Sequence, residues 1–276
     1  MRPGADPFTE RTPRVAAARR LTRRSRRDGE RRFLAEGPQA VREALALGPG
    51  RPGSAEALFG TGEALTRHAD LADLASALGV EVSVVTESAM AGLSETVSPQ
   101  GIVAVCSFLD VPLASVLATA PRLVAVLAEI RDPGNAGTVL RTADAAGADA
   151  VVFSDASVDP YNGKCVRATA GSLFHPAIVR GGPAAEVVAE LSGAGLTVLA
   201  ADGHGERDLD ELDSAGGLDG PTAWLFGNEA RGLPAALASL ATARVRIPIH
   251  GRAESLNLAA AAAITLYATA RAHHRP

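Results

Sequence analysis

The sequence lacks most of the features that announce a familiar enzyme. It has two cysteines in 276 residues, Cys106 and Cys165. They lie far apart and have no His or Cys at ligand spacing. That argues against a disulfide framework or a metal site and suits a reducing cytoplasm. Lysine is nearly absent: Lys164 is the only one, and it does not sit in a G-x-x-x-x-G-K-[ST] phosphate loop. The stretch "GHGERD" (203–208) keeps only the first two glycines of a dinucleotide fingerprint, and no G-x-S-x-G elbow occurs. Without a nucleophile elbow, His175 and His204 read as structural or surface residues. Long apolar runs are missing too. The Ala-rich tail, Leu258–Ala270, is broken by Thr265 and Thr269 and is too short and weakly hydrophobic to span a membrane. The N-terminus is Arg-rich with no apolar h-region, so no secretory signal is expected. Kinases, common dehydrogenases, serine hydrolases and membrane proteins all lose their usual support.

What is present is a chain long enough for two domains, 47% hydrophobic and 21% charged, which fits a soluble globular protein. Its net charge of −4 is unevenly spread. Residues 1–32 carry eleven arginines against four acids, a net of +7, which leaves −11 for the remainder. Six of these arginines fall in "RRLTRRSRR": Arg19, Arg20, Arg23, Arg24, Arg26 and Arg27. Arginine forks phosphates and stacks on bases. A basic arm over 1–31 on an acidic body therefore suggests contact with a nucleic acid, although a solvated tail has the same composition.

Beyond the arm, the patterning predicts a compact α/β unit over 32–108 and a Pro-containing linker over 109–122. From 123 onward strands and helices alternate, as in a mostly parallel sheet. Strands are expected at 123–130, 149–153, 176–180, 196–201, 223–227 and 244–249, with helices near 135–147, 162–172, 184–194, 233–241 and 255–272.

Three polar clusters sit at expected strand ends, where open α/β sheets bind ligands. "RDPGNAGTVLR" (131–141) contains Asn135 and Arg141, "WLFGNEARGLP" (224–234) contains Gly227, Asn228 and Glu229, and "IPIHGRAESLN" (247–257) contains Ser255 and Asn257. On residue type alone, Asn135 or Ser255 serves equally well as a helix N-cap. On a helical wheel of about 100° per residue, Val139, Leu140, Ala143, Ala146 and Gly147 form one apolar stripe. Arg141 points almost opposite to that stripe.

Taken together and in this order, the clusters resemble the three motifs of the SpoU (TrmH-like) family of RNA ribose 2′-O-methyltransferases, in the SPOUT superfamily: N-x-G-x-x-x-R, F-G-N-E-x-x-G-L and I-P-I…S-L-N. The phrases "FLAEGPQAVREAL" and "SPQGIVAV" resemble, more loosely, the family's ribosomal-protein-like RNA-recognition domain. The resemblance implies an α/β fold with a C-terminal trefoil-knotted domain over 123–276, a cytoplasmic homodimer and S-adenosylmethionine as cofactor, with no metal. It implies cofactor contacts at Ala200, Gly227, Asn228, Ile247, Ile249, Leu256 and Asn257. Catalytic roles fall on Arg141, Asn135, Glu229, Ser255 and Asn257, with Arg141 acting near the partner chain's cofactor. Arg167, on the helix "NGKCVRATAGSLF", joins the basic arm as an expected RNA contact, with an ordinary surface role the alternative. The implied substrate is ribosomal RNA, most naturally of the large subunit. A transfer-RNA enzyme or a non-catalytic RNA-binding protein remains the alternative.

Overall fold

The computed structural model describes residues 6–275, so the start of the expected basic arm, Arg2 included, lies outside the described residues. The chain divides into two units. The first runs to Leu109 and also takes in Tyr161–Phe174, whereas the second comprises Asp110–Pro160 and the chain from His175.

In the first unit, helices α1 (Pro13–Arg20) and α2 (Arg24–Glu30) precede β1 (Arg32–Glu36), α3 (Pro38–Ala46) and β2 (Ala55–Gly60). Then follow α4 (Gly62–Arg67), α5 (Ala69–Ala77), β3 (Glu81–Val84), α6 (Glu87–Leu93) and β4 (Ile102–Ser107). The sheet has the order β1-β4-β2-β3, with β4 antiparallel to both its neighbours and β2 parallel to β3. The sequence pattern predicts one helix over Glu63–Leu78. Two form, because His68 leaves the helical region at φ −117, ψ 48.

The basic stretch is not a tail. Val15, Ala18 and Leu21 are buried among Phe59, Val85, Met90 and Leu93, so the arginines decorate a folded helix pair. Arg19, Arg20, Arg23, Arg24 and Arg26 are exposed, as an RNA contact requires. Arg27 is not: it is 3% exposed and donates from Nη1 to the carbonyls of Leu21 at 2.9 Å and Thr22 at 2.8 Å. These bonds occupy carbonyls at the α1–α2 turn that no helix ladder satisfies.

A second departure concerns Arg167. The sequence pattern suggests a catalytic domain running unbroken from 123, yet α9 (Gly163–Thr169) and the following 3₁₀ turn (Ser172–Phe174) belong to the first unit. The Tyr161 ring stacks 4.0 Å from that of Phe108, and its hydroxyl accepts the Leu109 N–H at 2.9 Å. Arg167 pairs with the buried Glu36 at 2.7 Å. It therefore serves an internal ion pair rather than a free surface. Nothing in local periodicity reports that a helix from the later part of the chain packs on the earlier part.

The second unit contains α7 (Leu113–Leu117) inside the expected linker, then β5 (Leu123–Leu127), α8 (Pro133–Ala145), β6 (Ala150–Phe153), β7 (Ala177–Arg180) and α10 (Ala184–Gly193). Next come β8 (Thr197–Ala201), β9 (Arg207–Asp208), α11 (Leu209–Ser214), β10 (Thr222–Phe226), α12 (Ala235–Ala238), β11 (Ala243–Arg246) and α13 (Leu258–His273). All pairings in the sheet β7-β6-β5-β10-β8-β11-β9 are parallel. This is the expected α/β fold with a parallel sheet, and it directs every strand's carboxyl end to one edge. The short β9 and α11 have no counterpart in the sequence pattern, being too brief to show a period. On one face Val124, Val126, Val152, Val198 and Leu225 pack with Val187, Val188 and Leu191 of α10. α13 is fastened to β10 by a buried bond from Trp224 Nε1 to Thr269 Oγ1, 2.8 Å long. No helix of the described residues is long and apolar enough to cross a membrane.

Candidate active site

The site grows from the ends of β5, β8, β10 and β11. β5 stops at Leu127 rather than at 130, and Glu129 takes a left-handed conformation at φ 57 that turns the chain out of the sheet. Such a conformation is rare for a residue with a side chain, and such residues cluster at functional sites. Here two partners support it. The Glu129 carbonyl accepts from Asn228 Nδ2 at 3.0 Å, and its carboxylate meets Arg231 at 3.4 Å. α8 then starts at Pro133, and the cap is Asp132, which accepts the Asn135 N–H at 2.8 Å. Asn135 is thus in the first turn, and its side chain is free for other work.

That work is a hydrogen-bonded chain through all three clusters. Asn257 Nδ2 donates to Asn135 Oδ1 at 3.3 Å, and Asn135 Nδ2 donates to Glu229 Oε1 at 3.3 Å. The carboxylate of Glu229 fixes which way the Asn135 amide faces, since only the nitrogen can donate to it. Glu229 also receives the backbone N–H groups of Asp132 at 3.3 Å and Arg131 at 3.5 Å. Asn257 is itself the N-cap of α13, accepting from Ala259 N at 2.8 Å. Ser255, considered above as a cap, precedes the helix and lies exposed in the loop.

Arg141 behaves as the helical wheel predicts. Val139, Leu140 and Ala143 are fully buried and Ala146 nearly so, while Gly147, beyond the helix, is exposed. Arg141 is exposed and makes no hydrogen bond or ion pair among the described residues.

Beside the chain lies a cleft. Ala201, Asp202 and Gly203 form one wall and Phe226, Gly227, Asn228, Glu229 and Gly232 another. The loop before α13 closes it with Ile247, Ile249, Glu254, Ser255 and Leu256. At Gly227 a Cβ would stand 2.5 Å from the Leu233 nitrogen, so only glycine permits this turn. The lining holds three carboxylates, Asp202, Glu229 and Glu254, and not one Lys, Arg or His. Such a cleft repels phosphates. It suits a cationic ligand with an apolar body, and a sulfonium-bearing nucleoside such as S-adenosylmethionine has that chemistry.

Five of the seven expected cofactor residues, Gly227, Asn228, Ile247, Ile249 and Leu256, line this cleft. Ala200 does not. It is fully buried within the sheet, paired with Leu225 and Arg244, and the cleft begins one residue later. Asn257 also lies outside the lining, with its amide spent on Asn135 and the α13 cap. The Asn228 side chain holds its own loop, accepting from the N–H groups of Ala230 at 3.1 Å and Arg231 at 3.3 Å, and its backbone N–H and carbonyl pair with Gly232 at 3.1 and 2.8 Å, so it shapes the cleft wall. Sequence reasoning misses Asp202, Gly203 and Glu254. Their only signal is position after a strand or within a loop.

Comparison with known proteins gives this geometry a lineage. Residues 122–267 match the SpoU rRNA Methylase family, and residues 12–104 match an MRM3-like substrate binding domain. The chain is 37% identical over 236 residues to the 23S rRNA (guanosine(2553)-2'-O)-methyltransferase RlmP of Bacillus subtilis, covering 85% of this chain and 87% of that protein. An AdoMet-bound rRNA methyltransferase from Sinorhizobium meliloti superposes with a TM-score of 0.80 at 33% identity, over 96% of this chain and 97% of its own. The SpoU methyltransferase AviRb of Streptomyces viridochromogenes, in complex with AdoMet, gives a TM-score of 0.78 at 29% identity, over 94% and 98%. With its three motif segments joined at one cleft and its length covered by these matches, the chain belongs to the SpoU rRNA methylase family.

Proposed function

We propose that this protein transfers a methyl group from S-adenosylmethionine to a ribose 2′-hydroxyl of large-subunit ribosomal RNA, acting as a knotted homodimer in the cytoplasm. The observation that carries this reading is the Asn257–Asn135–Glu229 chain at the wall of a cation-free, acid-lined cleft. The relatives named as 23S rRNA 2'-O-methyltransferases support the choice of substrate.

S-adenosylmethionine would supply a methyl already activated on a sulfonium, held by the backbone at Gly227, Ile247, Ile249 and Leu256. The protein's own residues then have a modest task. A ribose hydroxyl is a poor nucleophile and must be aimed and stabilised as its charge develops. Glu229 takes three N–H donors and holds Asn135 and the start of α8 in place. Ser255, exposed on the cleft loop, is free to bind the hydroxyl. A guanidinium keeps its proton at physiological pH, so Arg141 serves as an electrostatic partner for the developing alkoxide and a nearby phosphate, not as a base.

Arg141 extends from the face of α8 opposite its buried stripe, which favours work in the partner subunit's site. Ile264 and Tyr267 are 42% and 47% exposed on α13, the helix packed against α8, and they supply apolar surface for such a pairing. The exposed arginines of α1 and α2 would hold RNA.

The test is transfer of labelled methyl to deproteinised large-subunit RNA and, in parallel, to transfer RNA, both from a strain lacking the gene, followed by mapping of ribose methylation. One labelled nucleotide is expected, with transfer lost in Arg141→Ala although the variant still binds S-adenosylmethionine. Label appearing only in transfer RNA would overturn the substrate, and no transfer to any RNA would overturn the activity.

A further inference from the structure

A second depression adjoins the cleft on the far side of Glu229. It is an open groove lined by Arg131, Asp132, Asn135, Asn228, Glu229, Ala230 and Arg231. Asn228 and Glu229 line both hollows, so they form a shared wall. The two hollows differ in charge. The cleft has acids and no base, whereas the groove carries two guanidinium groups.

The acids of the groove are already engaged. Glu229 receives three N–H groups, and Asp132 caps α8. The guanidinium of Arg131 has neither a hydrogen bond nor an ion pair among the described residues, although its residue is exposed at the groove's rim. Arg231 leans on Glu129 at 3.4 Å while remaining 64% exposed, an interaction loose enough to exchange. Other arginines of this unit are anchored to carboxylates, among them Arg244 with Glu206, Arg246 with Asp208 and Arg275 with Asp213. An acidic body that leaves Arg131 without a counter-charge beside its reaction centre has a ready place for an external anion.

We propose that this groove seats the acceptor nucleotide, with Arg131 and Arg231 gripping the phosphates that flank the methylated ribose. The reading rests on the RNA-methyltransferase function proposed above and adds the residues that present the substrate. Methyl donor and acceptor then lie on opposite sides of the Asn228–Glu229 wall, and the ribose approaches the donor over its rim. Planar guanidinium forks match phosphate oxygens two at a time, which fixes the register of the sugar between them.

The experiment measures methyl transfer at saturating S-adenosylmethionine against the concentration of deproteinised large-subunit RNA, for wild type, Arg131→Ala, Arg131→Lys and Arg231→Ala. Arg207→Ala, which removes an exposed charge from the edge strand β9, is the control. The KM for RNA should rise roughly ten-fold in each alanine variant and less in Arg131→Lys, with S-adenosylmethionine affinity by calorimetry unchanged. The slope of log affinity against log salt should fall by about 0.7 for each single-strand phosphate that the variant no longer neutralises. Arg207→Ala should match wild type. If Arg131→Ala and Arg231→Ala keep wild-type KM and salt slope while wild type methylates RNA, the groove assignment fails alone. If wild type methylates no RNA, the functional reading fails and the groove falls with it.

Discussion

Replacing Asn135 by Asp exchanges one NH₂ group for an oxygen and tests the polar chain at its centre. In the native arrangement Asn135 Nδ2 donates to Glu229 Oε1 at 3.3 Å, and Oδ1 accepts from Asn257. In Asn135→Asp the second interaction survives, whereas the first becomes two carboxylate oxygens facing each other. At that separation two unit charges repel by about 1 kcal/mol in bulk water and by about 5 kcal/mol at an effective dielectric of 20. The site is half-exposed, so the cost lies between these limits. The pair escapes it by taking up one proton, after which the introduced carboxylic acid would donate to Glu229 much as the amide did. The sign follows from linkage. The variant's native state holds a proton that its unfolded state releases more easily, so its stability is greatest at low pH and is lost as pH rises. At pH 8 the melting temperature should fall below wild type by roughly 2–4 °C for each kcal/mol of repulsion. Between pH 8 and pH 5.5 the gap should narrow, and methyl transfer should recover in parallel. Scanning calorimetry and single-turnover transfer across that range, with Asn135→Ala as the variant that cannot titrate, read both effects. If Asn135→Asp tracks wild type at every pH, or Asn135→Ala shows the same recovery, the two side chains do not meet as described.

Gly227→Ala should abolish S-adenosylmethionine binding by calorimetry while leaving global unfolding nearly cooperative, because its Cβ would press on the Gly232–Leu233 backbone 2.5–2.6 Å away and displace the cleft wall. Wild-type affinity in that variant would mean the turn is not part of the cofactor seat. Arg167→Ala should destabilise the protein by about 3–5 kcal/mol, since Glu36 would be left as a buried carboxylate with Ser94 Oγ, at 2.6 Å, as its one remaining side-chain donor among the described residues. Its RNA salt slope should stay at the wild-type value. Reduced RNA affinity at unchanged stability would restore Arg167 as a surface contact.

The sequence by itself determined much of the second unit. Buried parallel strands read as apolar runs because both faces are covered, so β5, β6, β8 and β10 are visible within about three residues of their ends. The wheel of α8 sorts Arg141 from Val139, Leu140 and Ala143 because a helix has one period along its length. The three clusters are legible as motifs. What linear periodicity does not carry is which distant groups meet. That Glu229 binds Asn135, and Asn135 binds Asn257, depends on adjacent β5 and β10 and on where α13 begins. Glu129 ends β5 early through a backbone conformation no residue type dictates.

Charge misleads most where burial decides. Eleven arginines conceal the apolar spacing of Val15, Ala18 and Leu21, and Arg27 and Arg167 turn inward because unpaired carbonyls and a buried carboxylate await them. A sequence records the charge a residue brings, and only the tertiary structure decides whether that charge meets water, a carboxylate of the same chain or a ligand. Thus the sequence set the chemistry available at the site, and the packing of strands and helices distant in the chain divided it into an acid-lined cleft and a groove edged with arginine.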